Sequence, residues 1–138
     1  MKLSSTVISL VAFFSAVSAA NVHYDTVYDN SKGSLSTVTC SDGANGLLTK
    51  GFTTFGSLPS FPNIGAAQAV GGWNSPACGT CWQITYGGKS INVTAIDTVK
   101  DGFNLSLEAM DTLTNGHAKE FGVVSAQATR VSKSYCGL

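Results

Sequence analysis

The chain has 138 residues, enough for one domain. Charged side chains make up only 12% of it and sum to a formal net charge of zero, so the sequence has no basic patch for nucleic acid or for an anionic membrane surface. Ser, Thr, Asn and Gly carry the polarity instead, and such a surface works through neutral hydrogen bonds and suits an uncharged ligand such as a sugar.

The N-terminus reads as a secretory leader. Lys2 supplies the positive end, residues 7–17 an apolar run, and Ser18, Ala19 and Ala20 the small residues a signal peptidase accepts. A cut near Ala20 divides the chain into a leader over 1–20 and a domain over 21–138. The apolar run is shorter than the roughly 20 residues that span a bilayer. The mature protein is therefore expected outside the cell, soluble and without an anchor. Removing Lys2 leaves 7 basic against 8 acidic side chains, a formal charge of −1.

Beyond the leader, short β-like runs alternate with turn residues and helical periodicity is scarce, which predicts a compact all-β domain. Residues 22–28 alternate, with Val22, Tyr24 and Tyr28 on one face. Residues 34–40 form a second candidate strand. Residues 59–63 read as a loop, since neither of their prolines can donate to a ladder. Trp82, Ile84 and Tyr86 alternate up to Gly87-Gly88, and Ile91, Val93 and Ala95 alternate after it, a strong hairpin signal. A helix is expected from Ser106, its N-cap, through Leu107, Met110 and Leu113 to a stop at Asn115-Gly116. The last strand fits residues 123–131.

Cys40, Cys78, Cys81 and Cys136 all lie beyond the leader. An even count in a secreted chain points to two disulfides, with three pairings open. A redox pair of Cys78 and Cys81 is the alternative. Zinc would need a second close pair, which Cys40 and Cys136 do not form, so no metal or other cofactor is expected.

Among residues that could carry chemistry, Asp97 stands out. It ends an apolar run and precedes a turn-rich stretch. A partly desolvated carboxylate there is a candidate general acid, and a turn residue bonding its own backbone is the plainer alternative. Glycoside hydrolysis usually needs a pair of carboxylates. Asp25, Asp29, Asp42, Asp101, Glu108, Asp111 and Glu120 offer no recognisable pairing with Asp97 in sequence. Trp73, Trp82, Tyr24 and Tyr28 have flat faces on which sugars stack, and Gln68 and Asn104 have amides that bond hydroxyls. Each aromatic can equally fill the core, Trp82 above all. Asn92-Val93-Thr94 and Asn104-Leu105-Ser106 are sequons. A glycan on Asn104 would exclude a role for it in a sugar groove, and the groove is the preferred reading.

Several stretches carry a family resemblance. They are Val22-His23-Tyr24-Asp25-Thr26-Val27-Tyr28-Asp29, then Cys40-Ser41-Asp42-Gly43, then residues 58–65. Gly72-Trp73-Asn74-Ser75-Pro76-Ala77-Cys78-Gly79-Thr80-Cys81-Trp82 is the most specific, and Asp97 with Gly102-Phe103-Asn104 follows. Through these stretches, which together span nearly all of the expected domain, the chain resembles the cerato-platanins, small secreted fungal proteins. The resemblance implies a six-stranded double-ψ β-barrel with short helices, like the first domain of expansins. It implies that Cys40 pairs with Cys78 and Cys81 with Cys136. It also implies location in the medium and fungal cell wall, and binding of chitin-type N-acetylglucosamine oligomers in a shallow groove. Loosening of cellulose without hydrolysis, self-assembly at interfaces and recognition by plants as an elicitor, through a surface receptor, are implied as well.

Asp97 matches the acid that expansins need, and Asn104 matches a groove amide. Tyr24, Asp25, Tyr28, Gln68 and Trp73 complete the expected binding set. Ala66, where a Gly is common, and Asp101, in a loop that often carries Gly, depart from the pattern. The expected function is non-catalytic polysaccharide binding by a monomer or weakly self-associating protein. The alternatives are a surface-active or signalling protein and, third, a weak glycosidase using Asp97.

Overall fold

The structure is a computed structural model and describes residues 16–138; most of the expected leader lies outside the described residues. Six strands form the framework: β1 (Ser18–Tyr24), β2 (Ile64–Ala67), β3 (Cys81–Tyr86), β4 (Lys89–Thr98), β5 (Phe103–Leu105) and β6 (Val124–Val131). They close in the order β1-β5-β2-β4-β3-β6, so that every strand has two neighbours and no edge is left unpaired. Two of the pairings, β1 with β5 and β2 with β4, are parallel, and the other four are antiparallel. This is the six-stranded double-ψ barrel with two disulfides that the resemblance implied.

The hairpin forms where the alternation places it. Tyr86 pairs with Lys89 across Gly87-Gly88, and both glycines take positive φ, 56° and 79°, as a two-residue turn of this hand requires. Inward-facing Ile84, Ile91, Val93, Ala126 and Ala128 fill the barrel with Val22 and Leu105. Burying each of the larger aliphatic side chains contributes about 1.5–3 kcal/mol.

Two expected strands are corrected. β1 stops at Tyr24, because Asp25 accepts from the Val27 N–H and caps a 3₁₀ turn over Thr26–Asp29. Residues 34–40 are not a strand. Ser34 caps another 3₁₀ turn, Leu35–Thr37, and only an isolated bridge joins Ser34 to Thr54. A hydroxyl or carboxylate that bonds the backbone two residues on competes with the ladder. β1 also begins at Ser18, within the small residues assigned to the leader, and Ser18, Ala19 and Ala20 pair with Ala128, Gln127 and Ala126.

The helix α1 (Leu107–Thr114) follows β5 directly, as expected from Ser106. Ser106 Oγ accepts from the Ala109 N–H at 3.0 Å. The first two helical N–H groups, of Leu107 and Glu108, both donate to the Asp29 carboxylate, at 2.8 and 2.9 Å. Asn115 ends the helix in the left-handed region at φ 55°. A short α2 (Ala118–Phe121) follows.

Disulfides Cys40–Cys78 and Cys81–Cys136 close segments of 38 and 55 residues. Cys78 and Cys81 are in different bridges, so the redox pairing is not formed. Each closure is worth roughly 4 kcal/mol on a chain-entropy basis. The first ties the loop after Val38 to the loop before β3, and the second ties β3 to the C-terminal turn Lys133–Cys136.

Among the described residues, Asp29 is the one side chain that caps the start of α1 from a distant segment. Asp29→Ala is expected to cost about 1–2 kcal/mol, the worth of a helix N-cap. This would be read as a lower urea midpoint at unchanged slope, whereas an unchanged midpoint would mean that solvent serves those two N–H groups equally well.

Candidate functional site

Strand β4 begins with simple alternation: Ile91, Val93 and Ala95 face inward. Continued, the pattern would bury Asp97 beside them. Instead the register of β2 against β4 shifts between Gly65 and Ala66: Gly65 faces Ala95, but Ala66 faces Asp97. β4 thus holds one extra residue, Ile96, and a bulge of this kind re-aims the side chain that follows it. Asp97 turns to the outer face, where a cross-strand row runs His23, Asn104, Ala66, Asp97 over β1, β5, β2 and β4. The buried methyl group of Ala66 is the floor between the amide and the acid. Gly65 supports this packing, since a Cβ there would overlap the backbone oxygen of Asn104.

The carboxylate of Asp97 is surrounded by donors. Its Oδ1 accepts from Thr39 N–H at 3.0 Å, Thr39 Oγ1 at 2.7 Å and Thr98 N–H at 2.9 Å. Its Oδ2 accepts from the Tyr28 hydroxyl at 2.8 Å, which leaves that oxygen room for one further donor. The Thr98 bond is the local turn contact that the sequence allows, while the others come from segments 58 and 69 residues away. Burial, and then the charge and hydrogen bond of Asp97 with a smaller contribution from Asp25, push the Tyr28 phenol well above its ordinary range. Tyr28 is therefore a fixed neutral donor.

The expected binding residues do not all gather here. Asp97 and Asn104 share the row. Tyr24 and Asp25 end β1 beside it, with the Asp25 N–H bonded to Leu105 O at 2.8 Å. Asp25 spends its carboxylate as the turn cap described above. Tyr28 is corrected from a stacking surface to a buried prop: its ring is 5% exposed and tilts against Phe55. Gln68 closes the end of β2 onto β5, its Oε1 accepting from Gly102 N–H at 3.0 Å. Trp73 is 63% exposed on a separate loop, its indole N–H donating to Asp42 at 2.6 Å. Trp82 packs edge-on to Phe103 and is half-buried. Of these aromatic side chains, Tyr28 is the one bonded to Asp97 among the described residues, and it meets the acid through its hydroxyl, not its face. Of the two departures, Ala66 is the floor of the row, and Asp101 accepts from the Asn21 amide at 3.0 Å. Both sequon asparagines lie in strands, Asn92 in β4 and Asn104 in β5.

Thr39 and the outward His23 were missed in sequence. Thr39 sits in a stretch read as a strand, and nothing in its neighbours marks a partner 58 residues on. Among the described residues no group of three or more His, Cys, Asp or Glu side chains could hold a metal ion. No described helix is long and apolar enough to cross a membrane.

The Tyr28–Asp97 bond has a pH signature. A phenol whose pKa is raised by folding contributes stability that is complete below the unfolded value, about 10, and declines above it. Wild-type protein is expected to lose stability as pH rises past about 10. Tyr28→Phe is expected to lower stability at neutral pH by about 1.5–3 kcal/mol, the worth of a bond to a charged group. It should also flatten the alkaline decline. Denaturant unfolding at pH 7 and in steps above pH 10 checks both, and an equally steep decline in the variant would contradict the assignment.

The cerato-platanin family model matches residues 20–138. The chain is 49% identical over 121 residues to the heat-stable 19 kDa antigen of Coccidioides posadasii, covering 88% of this chain and 83% of that one. Its structure superposes on the crystal structure of cerato-platanin 3 from M. perniciosa with a TM-score of 0.85 at 51% identity, covering 88% of this chain and all of the other. The solution structure of the fungal elicitor cerato-platanin matches with a TM-score of 0.76 at 36% identity, covering 84% of this chain and 95% of that one. A match across the whole barrel from a family model and from relatives near half identity leaves one assignment: the chain belongs to the cerato-platanin family.

Proposed function

We propose that the protein is a secreted, non-catalytic binder of uncharged cell-wall polysaccharide, with chitin-type N-acetylglucosamine oligomers as its main ligand. The observation that carries this reading is the state of Asp97. A proton donor must hold its proton toward a leaving group, but this carboxylate is engaged as an acceptor by four donors. It organises the face and keeps one oxygen lone pair for a sugar hydroxyl. The side chain of Asn104, next to it across Ala66, supplies an amide donor and acceptor, and His23 extends the row.

Binding of this kind displaces chain–chain hydrogen bonds in the polymer, and in chitin or cellulose it would loosen packing without cleavage. Each such bond nets only about 1 kcal/mol, so several must act together and affinity is low. Because no charge pair is needed, salt should change it little. Action outside the cell and in the fungal wall, after removal of a leader ending near Ala20, fits the disulfides and the family. A solved relative is described as a fungal elicitor, and we extend that role, through a plant surface receptor, to this chain. A second reading, surface activity, draws on Phe121 and Val123, exposed beside Tyr86 at 42% and 45%.

Titration of isotope-labelled protein with N-acetylglucosamine tetramer tests the proposal. Amide shifts at Ala66, Asp97 and Asn104 are expected at millimolar ligand, little changed between low and high salt. Asn104→Ala should weaken binding about fivefold, the equivalent of one neutral hydrogen bond. The tetramer should be recovered intact after long incubation. Silence of these amides, or appearance of shorter sugars, would count against it.

A further inference from the structure

A polar concavity, apart from the Asp97 row, lies on the outer face of the β3–β4 hairpin, with a volume of about 450 Å³. That size falls within the range of small-molecule sites, about 300–1,000 Å³. Its base includes Gln83 and Asn92, which are direct cross-strand partners. One wall comes from the loop carrying Ser60 and Asn63, the other from Tyr135 in the C-terminal turn. Both walls are held. The Cys81–Cys136 disulfide ties the turn to β3, and Gly137 lies so close to Pro59 that a Cβ would come within 2.7 Å of the proline ring. Ser60 Oγ is bonded to Asn63 O and Thr94 Oγ1, at 2.8 and 2.6 Å, which fixes the loop to β4.

The chemistry of the lining is neutral throughout, since it includes no Asp, Glu, Lys, Arg or His. Three amide side chains, Asn63, Gln83 and Asn92, converge on it, and each offers donors and an acceptor. The Asn92 Oδ1 is buried and has no hydrogen-bond partner among the described residues. Buried polar atoms of folded proteins are nearly always paired, so Asn92 keeps a hydrogen-bonding capacity that the fold leaves unspent, beneath the cleft that its residue lines. Tyr135 stands at the rim, 64% exposed, offering a flat face. A phosphate or carboxylate ligand would find no cation here. An uncharged ring carrying many hydroxyls would find amides for its edges and an aromatic for its face.

We propose that this cleft is a second site for an uncharged pyranose of a free oligosaccharide, distinct from the Asp97 row. Asn92 and Asp97 lie five residues apart on β4, roughly 16 Å at the rise of an extended strand. Two sites on one rigid barrel would let a single molecule hold two polymer chains, or two points of one chain, and raise avidity without tighter contacts. The proposal does not rest on the reading of Asp97, because the two sites report through different residues.

The same sugar chemistry could instead be delivered by a glycan on Asn92 itself, the acceptor of the Asn92-Val93-Thr94 sequon. The test therefore uses unglycosylated protein made in a bacterial periplasm, titrated with N-acetylglucosamine tetramer and with cellotetraose. Shifts are expected at Gln83, Asn92 and Tyr135 with at least one of the two sugars. They should persist in Asn104→Ala and weaken fivefold or more in Tyr135→Ala, an exposed position whose loss leaves the fold intact. Shifts confined to the Asp97 row would overturn the second site and leave the first standing. Loss of the Gln83 and Asn92 shifts in Asn104→Ala would equally overturn it. Intact mass of the protein secreted by a fungal host is the other arm: a glycan found on Asn92 would mean that the cleft serves the chain's own sugar, and the proposal would fall.

Discussion

Four donors converge on the carboxylate of Asp97, and the outer face that carries the row from His23 to Asp97 depends on that convergence. Tyr28 reaches it from the turn after β1, Thr39 from the loop that carries Cys40, and Thr98 from the end of β4 itself. Two segments, 58 and 69 residues away in sequence, are thereby pinned to the end of β4. Hydrogen bonds to a charged group are worth about 1.5–3 kcal/mol each, though bonds sharing one carboxylate do not add independently. Neighbouring constraints reinforce it. The Cys40 N–H donates to Ile96 O at 3.1 Å, and Cys40 is bridged to Cys78. The bulge at Ile96 makes this possible, since without it the acid would point into an apolar interior that could not solvate it.

A face organised in this way is stiff and open. Stiffness matters for weak binding, because a face already ordered loses little entropy when a polymer docks. The disulfides serve the same end at the other side of the barrel, where the Cys81–Cys136 bridge fixes the C-terminal turn over the β3–β4 hairpin. The molecule thus presents two polar surfaces on a closed sheet with no free edge for pairing with another chain.

Much of this framework was legible in the residues. The hairpin around Gly87-Gly88, the helix from Ser106 and the last strand follow from local patterns, because turn glycines, caps and alternation act over a few residues. β2 and β5 were invisible for a physical reason. They are four and three residues long, and the four residues of β2 are buried on both faces, so no alternation marks them. The family resemblance, and not periodicity, supplied the barrel and the cysteine pairing. At the site, Asp97 and Asn104 could be singled out from type and position, but their alignment through Ala66 depends on a register shift that no local pattern reveals. Tyr28 misled because an amphipathic ring can serve as a stacking face or as a buried donor, and only the placement of its hydroxyl against Asp97 decides between them. Thr39 carried no signal at all, since its partner is 58 residues away.

The most direct test of the central role given to Asp97 is the hydrogen-exchange rate of the Thr39 amide, whose only bond is to that carboxylate among the described residues. In native protein this amide should be strongly protected despite lying in a loop, and in Asp97→Ala its protection should fall at least a hundredfold while the amides of β3 and β6 stay slow. A Thr39 amide that exchanges at the unprotected rate in the native protein, or one equally slow in the variant, would contradict the view that one carboxylate holds this face together.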